Sequence, residues 1–147
     1  MENKQEVALA LFDSGFNCAQ SVLATFSGDL GLDQKTALKL STGFGGGIAR
    51  MQKTCGAVTG AIMVLGLKFG RSETDDNDAR ETTYDLVYYF TSRFIKKHGS
   101  LECLQLLGCS FATEEGISCL NSDNSTYEIC RYCIADSVEI VDSIINK

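Results

Sequence analysis

The chain has 147 residues, of which 44% are apolar and 22% charged, and its formal net charge is −6. This length and composition suit a single globular domain over residues 1–147. The acidic balance speaks against nucleic acid or an anionic membrane as the main partner. No apolar run approaches the roughly 18–20 residues of a membrane span, and no signal peptide is recognisable, so we expect a cytoplasmic protein.

Helical periodicity dominates and predicts an all-α domain of about six or seven helices, since few runs alternate as a strand would. The first amphipathic helix should end before Gly15, which suits a left-handed terminal position. Asn17 and Asp33 are candidate N-caps of the second and third helices. The third helix should end at Gly43, where a glycine-rich loop, GFGGG, precedes the central helix.

The second half of the chain continues the helical pattern. Thr54 is a candidate cap for the central helix, CGAVTGAIMVLGL. Asp78 is a candidate cap for a long helix, and Ser100 for a short one, LECLQLLG. Residues 109–125 are polar and are predicted as a surface loop. The last helix should begin near Ser125 and run towards the end of the chain.

The chain contains seven cysteines, an odd number. In a cytoplasmic chain this count speaks against a structural disulfide framework. It favours a metal, an iron–sulfur cluster or redox chemistry, although some thiols can simply be buried side chains. The cysteines are Cys18, Cys55, Cys103, Cys109, Cys119, Cys130 and Cys133.

Cys18 and Cys55 each follow a predicted N-cap and open a predicted helix. The positive end of a helix stabilises a thiolate and so lowers the pKa of a thiol. Both are therefore candidate reactive thiolates and candidate metal ligands. The alternative interpretation is two small buried apolar side chains.

A C-x-x-C motif, Cys130 and Cys133, lies within the last predicted helix. Residues three apart share one helical face, so both sulfurs can reach one partner. The helical context differs from that of a thioredoxin motif, and Ile134 stands where haem attachment requires histidine. We therefore expect no haem. The other cysteines do not supply the second close pair of a zinc ribbon.

Other reactive side chains give weaker signals. Cys103 lies on the short predicted helix, while Cys109 and Cys119 fall in or beside the polar loop and are interpreted as incidental thiols. His98, the single histidine, is predicted to be a solvated cation at a helix end. No asparagine or aspartate signature supports Cys–His nucleophilic catalysis.

The glycine-rich loop fails the tests for a nucleotide site. A P-loop needs Lys-Ser/Thr directly after a glycine, whereas Lys53 and Thr54 follow a glutamine, and no strand precedes the glycines as a dinucleotide fold requires. We therefore expect no nucleotide. The backbone N–H groups of Gly45, Gly46 and Gly47 can still form a nest for an anion or a cluster sulfur.

The sequence resembles the family of redox-active proteins named for the pattern C_GCAxxG_C_C. The pieces that carry the resemblance are NCAQSVL, GFGGGIARMQKTCGAVTGAIMVLGL, ECLQLLG and CIADSVEIV, in the family's order. The resemblance implies a small helical domain with four key cysteines. These map to Cys18, Cys55, Cys103 and Cys133, with Cys130 as the alternative to Cys133.

Three functions remain open at this point. The first is an iron–sulfur cluster or another metal held by four thiolates for electron transfer or redox sensing, with a redox partner protein. The second is a metal-free thiol–disulfide protein. The third is a non-catalytic helical module that binds a partner or forms a homodimer. The small residues Gly56 and Gly60, four apart in the central helix, would let another helix approach closely.

Overall fold

The computed structural model describes residues 3–121 and 125–147, and this part of the chain is all-α, as predicted. It contains eight α-helices, one or two more than expected, and two short 3₁₀ turns at Gly28–Leu30 and Thr42–Phe44. The helices are α1 (Lys4–Asp13), α2 (Cys18–Ser27), α3 (Gln34–Ser41), α4 (Gly56–Phe69), α5 (Asn77–His98), α6 (Cys103–Leu107), α7 (Glu114–Asn121) and α8 (Ser125–Ile145).

Helix α7 corrects the prediction of a surface loop over residues 109–125, of which residues 122–124 lie outside the described residues. The Gly116 amide donates to Thr113 Oγ1 at 2.9 Å, so a side-chain oxygen satisfies one free amide at the helix start. Glu114 and Glu115 occupy the first turn, where negative charge complements the helix dipole. The helix was missed because its composition is that of a polar loop.

The predicted caps of α2 and α3 are confirmed. Asn17 Oδ1 accepts from the Gln20 amide at 2.9 Å, and Gln20 Oε1 accepts from the Asn17 amide at 3.0 Å, which completes a capping box. Asp33 accepts from the Thr36 amide at 3.0 Å. Both helices therefore begin with their first amides satisfied by side chains.

Three other cap predictions are wrong by one or two residues. Thr54 forms an isolated antiparallel bridge with Glu102, so α4 begins after Cys55 and α6 after Glu102, rather than after Thr54 and Ser100. The cap of α5 is Asp76, which accepts from the Ala79 amide at 3.1 Å, rather than Asp78. The bridge holds the residues that precede α4 and α6 next to each other.

Helix α4 lies at the centre of the core and packs against α2, α5 and α8, while α1 packs on α2 and α8. It is apolar on nearly all sides, which is typical of a buried helix. No described helix is both long and apolar enough to cross a membrane. The largest fully buried side chains of the core include Leu23, Phe26, Leu65, Phe90, Phe94, Ile134 and Ile140.

The small-residue face of α4 packs against α2 within the chain. A Cβ added at Gly56 would lie 3.0 Å from the Ala19 nitrogen and 3.1 Å from Cys18 Cβ. One added at Gly60 would lie 2.9 Å from the Ala19 oxygen. This face is therefore covered by α2, and a dimer interface would have to use another surface.

We expect Gly60→Ala to lower the free energy of unfolding by about 1–3 kcal/mol, because the new methyl group overpacks the α2 contact. The measurement is urea unfolding followed by circular dichroism. Gly66→Ala is the matched control, since nothing lies within 4 Å of an added Cβ there. It should raise the free energy of unfolding by about 0.5–1 kcal/mol. Equal effects would contradict the close α2–α4 packing.

Candidate functional site

A cavity of about 570 Å³ lies beside the start of α4 and is lined by five cysteines. Cys18 comes from the first turn of α2, and Cys55 directly precedes α4. Much of the remaining wall is apolar or glycine backbone. The five thiols, none of them in a disulfide, are those of Cys18, Cys55, Cys103, Cys130 and Cys133. The candidate ligands of the sequence analysis, with the alternative Cys130, thus border one space.

The thiols form two pairs across this cavity. Cys133 donates a hydrogen bond to the Cys55 sulfur, and Cys18 donates one to the Cys130 sulfur, and these hydrogen bonds are the largest influence on the pKa of each thiol. Cys130 and Cys133 lie on one face of α8, as the C-x-x-C spacing predicts, yet each pairs with a different helix start. Helix α8 therefore contacts the beginning of α2 through Cys130 and the beginning of α4 through Cys133.

Among the four paired thiols, Cys55 is the one whose thiolate is stabilised by the most neighbouring groups. The hydrogen bond from Cys133 lowers the pKa of Cys55, and the amides of Ala57 and Val58 lower it further, although burial opposes both. The same bond raises the pKa of Cys133, since that thiol must keep its proton to donate. This is the direction predicted for a thiol at the start of α4, and the role of Cys55 as a reactive thiolate stays a prediction.

At Cys18 the direction of the pKa shift is opposite to the predicted one, and its role as a reactive thiolate stays a prediction. The hydrogen bond with Cys130 raises the pKa of Cys18, burial adds to this, and the pKa of Cys130 is lowered instead. The two helix starts differ in their caps: a capping box closes α2, whereas no side-chain oxygen caps α4. Backbone amides contribute to the pKa of Cys55 and are not among the causes of the shift at Cys18.

Cys103 lines the cavity without a close thiol partner. Burial raises its pKa to about 12, and the charges of Cys55 and Cys130 contribute to the same direction. A contact with Gln52 has the opposite, smaller effect. Cys103 therefore holds its proton at neutral pH and is the fifth, neutral thiol of the site.

Whether these residues can hold a metal depends on how many metal ions the centre contains. Within residues 3–121 and 125–147, no three histidine, cysteine, aspartate or glutamate side chains meet at one point as a single metal ion would require. The chemistry of the donor set nevertheless suits iron–sulfur ligation, because four thiolates hold a [2Fe–2S] cluster with two on each iron. Two cysteine pairs on one cavity wall fit that division.

The glycine-rich loop adopts a left-handed turn that the sequence did not predict. Residues 46–50 all have φ between 49° and 69°, and three of them, Ile48, Ala49 and Arg50, are not glycine. Such a conformation costs a residue with a side chain about 1–2 kcal/mol. Strain of this kind persists only where the surroundings hold it, which is common at functional sites.

Glycine is needed where this turn touches the cysteines. A Cβ on Gly47 would lie 2.7 Å from Cys103 Cβ, and one on Gly45 would lie 2.5 Å from Asn17 Nδ2. Gly46 has φ 65° and faces the backbone of Arg50. Gly45, Gly46 and Gly47 all line the cavity, and their predicted role as backbone ligands of a cofactor stays a prediction.

Gln52 is a site residue that the sequence analysis missed. It is buried, its Nε2 donates to the Cys109 carbonyl at 2.7 Å, and its Oε1 accepts from the Phe111 amide at 2.7 Å. Cys109 and Cys119, predicted to be incidental thiols, lie within disulfide-bonding distance of each other. Gln52 therefore holds the segment that contains Cys109 and Phe111 in place, and Phe111 is part of the cavity wall.

His98 does not line the cavity. Its Nε2 lies 2.8 Å from Asp136 Oδ2, its ring packs on Phe94, and only 14% of its side chain is exposed. The prediction of a solvated cation is therefore wrong, because α8 supplies a carboxylate partner. Among the described residues, those that line the cavity include five cysteines and no histidine.

The fold and the site together define a class: a small all-α protein whose paired cysteines face one cavity. A family model described as "Putative redox-active protein (C_GCAxxG_C_C)" matches residues 16–144. The chain belongs to this family of redox-active proteins. Comparisons with curated proteins and with solved structures find no match.

We expect Ala49→Gly to raise the free energy of unfolding by about 1 kcal/mol, because glycine adopts the left-handed conformation of this exposed residue without strain. The control is Ala10→Gly at an exposed position of α1, which should lower it by about 0.5–1 kcal/mol. Urea unfolding of both variants tests this. If Ala49→Gly destabilises as Ala10→Gly does, the left-handed turn is contradicted.

Alkylation should separate Cys55 from Cys103 at neutral pH. The two side chains are equally inaccessible, with exposed fractions of 6% and 8%. The lowered pKa of Cys55 leaves more thiolate, the reactive form, than Cys103 has with a pKa of about 12. Timed iodoacetamide labelling with peptide mass mapping should find Cys55 modified before Cys103. Equal labelling rates would contradict the assignment of the thiolate.

Proposed function

We propose that the chain is a thiol–disulfide redox protein that works through Cys55 and Cys133. The observation that carries the proposal is the hydrogen-bonded pair of a thiol with a lowered pKa and a thiol that keeps its proton, at the wall of one cavity. A thiolate beside a resolving thiol is the arrangement that thiol–disulfide exchange requires. Cys18 and Cys130 form a second pair with the same division of roles.

The substrate of the exchange would be a low-molecular-weight disulfide. The Cys55 thiolate attacks one substrate sulfur, so that a mixed disulfide forms, the substrate S–S bond breaks, and the leaving thiolate takes a proton from water. Cys133 then attacks the Cys55 sulfur, and the second substrate thiolate leaves and takes up the proton that Cys133 gives up. The substrate gains two electrons and two protons, and Cys55 and Cys133 become a disulfide.

The cycle needs a thiol reductant to restore Cys55 and Cys133. Two reductant thiols would supply the two electrons and two protons and would themselves become a disulfide. This is the role that we assign to the predicted redox partner protein. Cys55 and Cys133 are only 6% and 1% exposed, so both the oxidant and the reductant would have to reach them through the cavity.

Oxidation of the fully reduced protein with 4,4′-dithiodipyridine tests the pairing. We expect peptide mass mapping to find a Cys55–Cys133 disulfide that a thiol reductant reverses. Cys133→Ser should stop the reaction at a mixed disulfide on Cys55, because the resolving thiol is missing. Cys103→Ser is the matched control and should still form the disulfide. Absence of any reversible disulfide at Cys55 would contradict the proposal.

A second candidate function is supported by the division of four thiols into two pairs. Cys18 with Cys130 and Cys55 with Cys133 would each hold one iron of a [2Fe–2S] cluster, whose chemistry is one-electron transfer. The amides of the glycine loop, at Gly46 and Gly47, would be donors available near the site. In this arrangement Cys103 would not be a ligand, in contrast to the set that the family resemblance implies.

Anaerobic purification followed by visible spectroscopy and by iron and sulfide analysis tests the second candidate. A coloured protein that loses iron in Cys18→Ser but keeps it in Cys103→Ser would support the paired ligand set. Loss of iron in Cys103→Ser would favour the set implied by the family. A colourless, iron-free protein that forms the Cys55–Cys133 disulfide would favour thiol–disulfide exchange.

A further inference from the structure

The cavity wall carries a positive charge, although the protein as a whole is acidic. The chain carries a net charge of −6, yet Arg50 is the single side chain with a fixed charge among the lining residues, and none of them is a carboxylate. Arg50 is exposed, whereas Cys55 and Cys133 are buried, so Arg50 belongs to the outer part of the lining and the two cysteines belong to the inner part. Arg50 takes part in none of the ion pairs between described residues.

Backbone donors add to this positive end of the cavity. The amides of residues 48–53 all donate to carbonyls of the same loop. Those of Gly46 and Gly47, which line the cavity, donate to no carbonyl among the described loop contacts. Backbone N–H groups and a guanidinium that line the same cavity can both hold the oxygens of an anion.

The remainder of the wall suits an apolar molecule of modest size. A volume of about 570 Å³ falls within the range of small-molecule sites, about 300–1,000 Å³. Large apolar side chains contribute to this wall. They are Phe12, Leu106, Leu107, Phe111 and Ile129. The space therefore has an apolar interior with thiols at its base and a cation at its rim.

We infer that the cavity binds small molecules with an apolar body and an anionic head, with the head at Arg50 and the body directed towards Cys55 and Cys133. The inference rests on the proposed function for its chemistry. With that function, the preferred exchange substrate is a small apolar disulfide that carries a carboxylate. The carboxylate pairs with the guanidinium, and the disulfide end reaches the buried thiols. The reaction is the same two-electron exchange, so its atoms and electrons balance as described above.

Binding is tested first with molecules that cannot react with thiols. Octanoate, octylamine and octanol have the same apolar body and differ in the head group. We expect octanoate to raise the thermal midpoint of the reduced protein more than the other two. Arg50→Gln should weaken octanoate binding about 5–10-fold, and added salt should reduce the difference, because the contact is exposed. The matched control is Lys53→Gln, which removes a nearby exposed cation outside the cavity wall.

Exchange is tested next with two aromatic disulfides. The ratio of the reaction rates of 5,5′-dithiobis(2-nitrobenzoate) and neutral 4,4′-dithiodipyridine measures the preference for a negative head. This ratio should fall about 5–10-fold in Arg50→Gln and stay unchanged in Lys53→Gln.

The outcomes separate the two proposals. Equal stabilisation by octanoate and octylamine, or equal effects of Arg50→Gln and Lys53→Gln, would overturn the inferred ligand class, and exchange with the neutral disulfide would then still support the proposed function. Selective binding of octanoate without any exchange at Cys55 would support the ligand class and overturn thiol–disulfide exchange.

Discussion

The close approach of α2 and α4 is the constraint on which the site depends. It requires hydrogen in place of a side chain at Gly56 and Gly60, because a Cβ at either position would meet the backbone of Ala19. The approach places the start of α4 beside Cys18, and thereby brings two helix beginnings, each with a cysteine, to one cavity. Helix α8 packs against both, and its i, i+3 periodicity presents one thiol to each.

The second constraint is the strained turn between α3 and α4. Its cost of about 1–2 kcal/mol for each residue with a side chain has to be offset by contacts around it. The backbone bridge provides several, because the Cys103 amide donates to the Lys53 carbonyl at 2.7 Å and the Cys55 amide donates to the Leu101 carbonyl at 2.8 Å. The donor of each bond is the backbone amide of a cysteine that lines the cavity. The turn and the positions of two sulfurs are therefore fixed by the same interactions.

The sequence predicted the parts of this architecture that are decided locally. Asn17 and Asp33 cap their helices because a short polar side chain and a free amide are close in sequence. The start of α4 was misplaced because the Thr54–Glu102 bridge joins residues far apart in sequence. No local signal places Ile48, a β-branched residue, in a left-handed conformation.

The candidate site shows the same limit. The helix-start argument gives the direction of the pKa shift at Cys55, but at Cys18 the tertiary contact with Cys130 and burial turn the shift the other way. The C-x-x-C spacing placed Cys130 and Cys133 on one face without indicating that their partners differ. Whether a thiol ionises here depends on its neighbour across the cavity, which sequence spacing does not contain.

Protonation also separates the two redox chemistries proposed for this site. Adjacent thiols in a buried space do not all ionise readily, because each thiolate raises the cost of the next, and in each pair one thiol has a lowered pKa and the other a raised pKa. Disulfide exchange uses that state directly, since a thiolate attacks while its neighbour waits as a thiol. A cluster requires four thiolates, so loading must displace the protons of Cys18 and Cys133 and is favoured as the pH rises. The same hydrogen bonds would therefore favour the proposed exchange and would add a proton cost to the proposed uptake of metal.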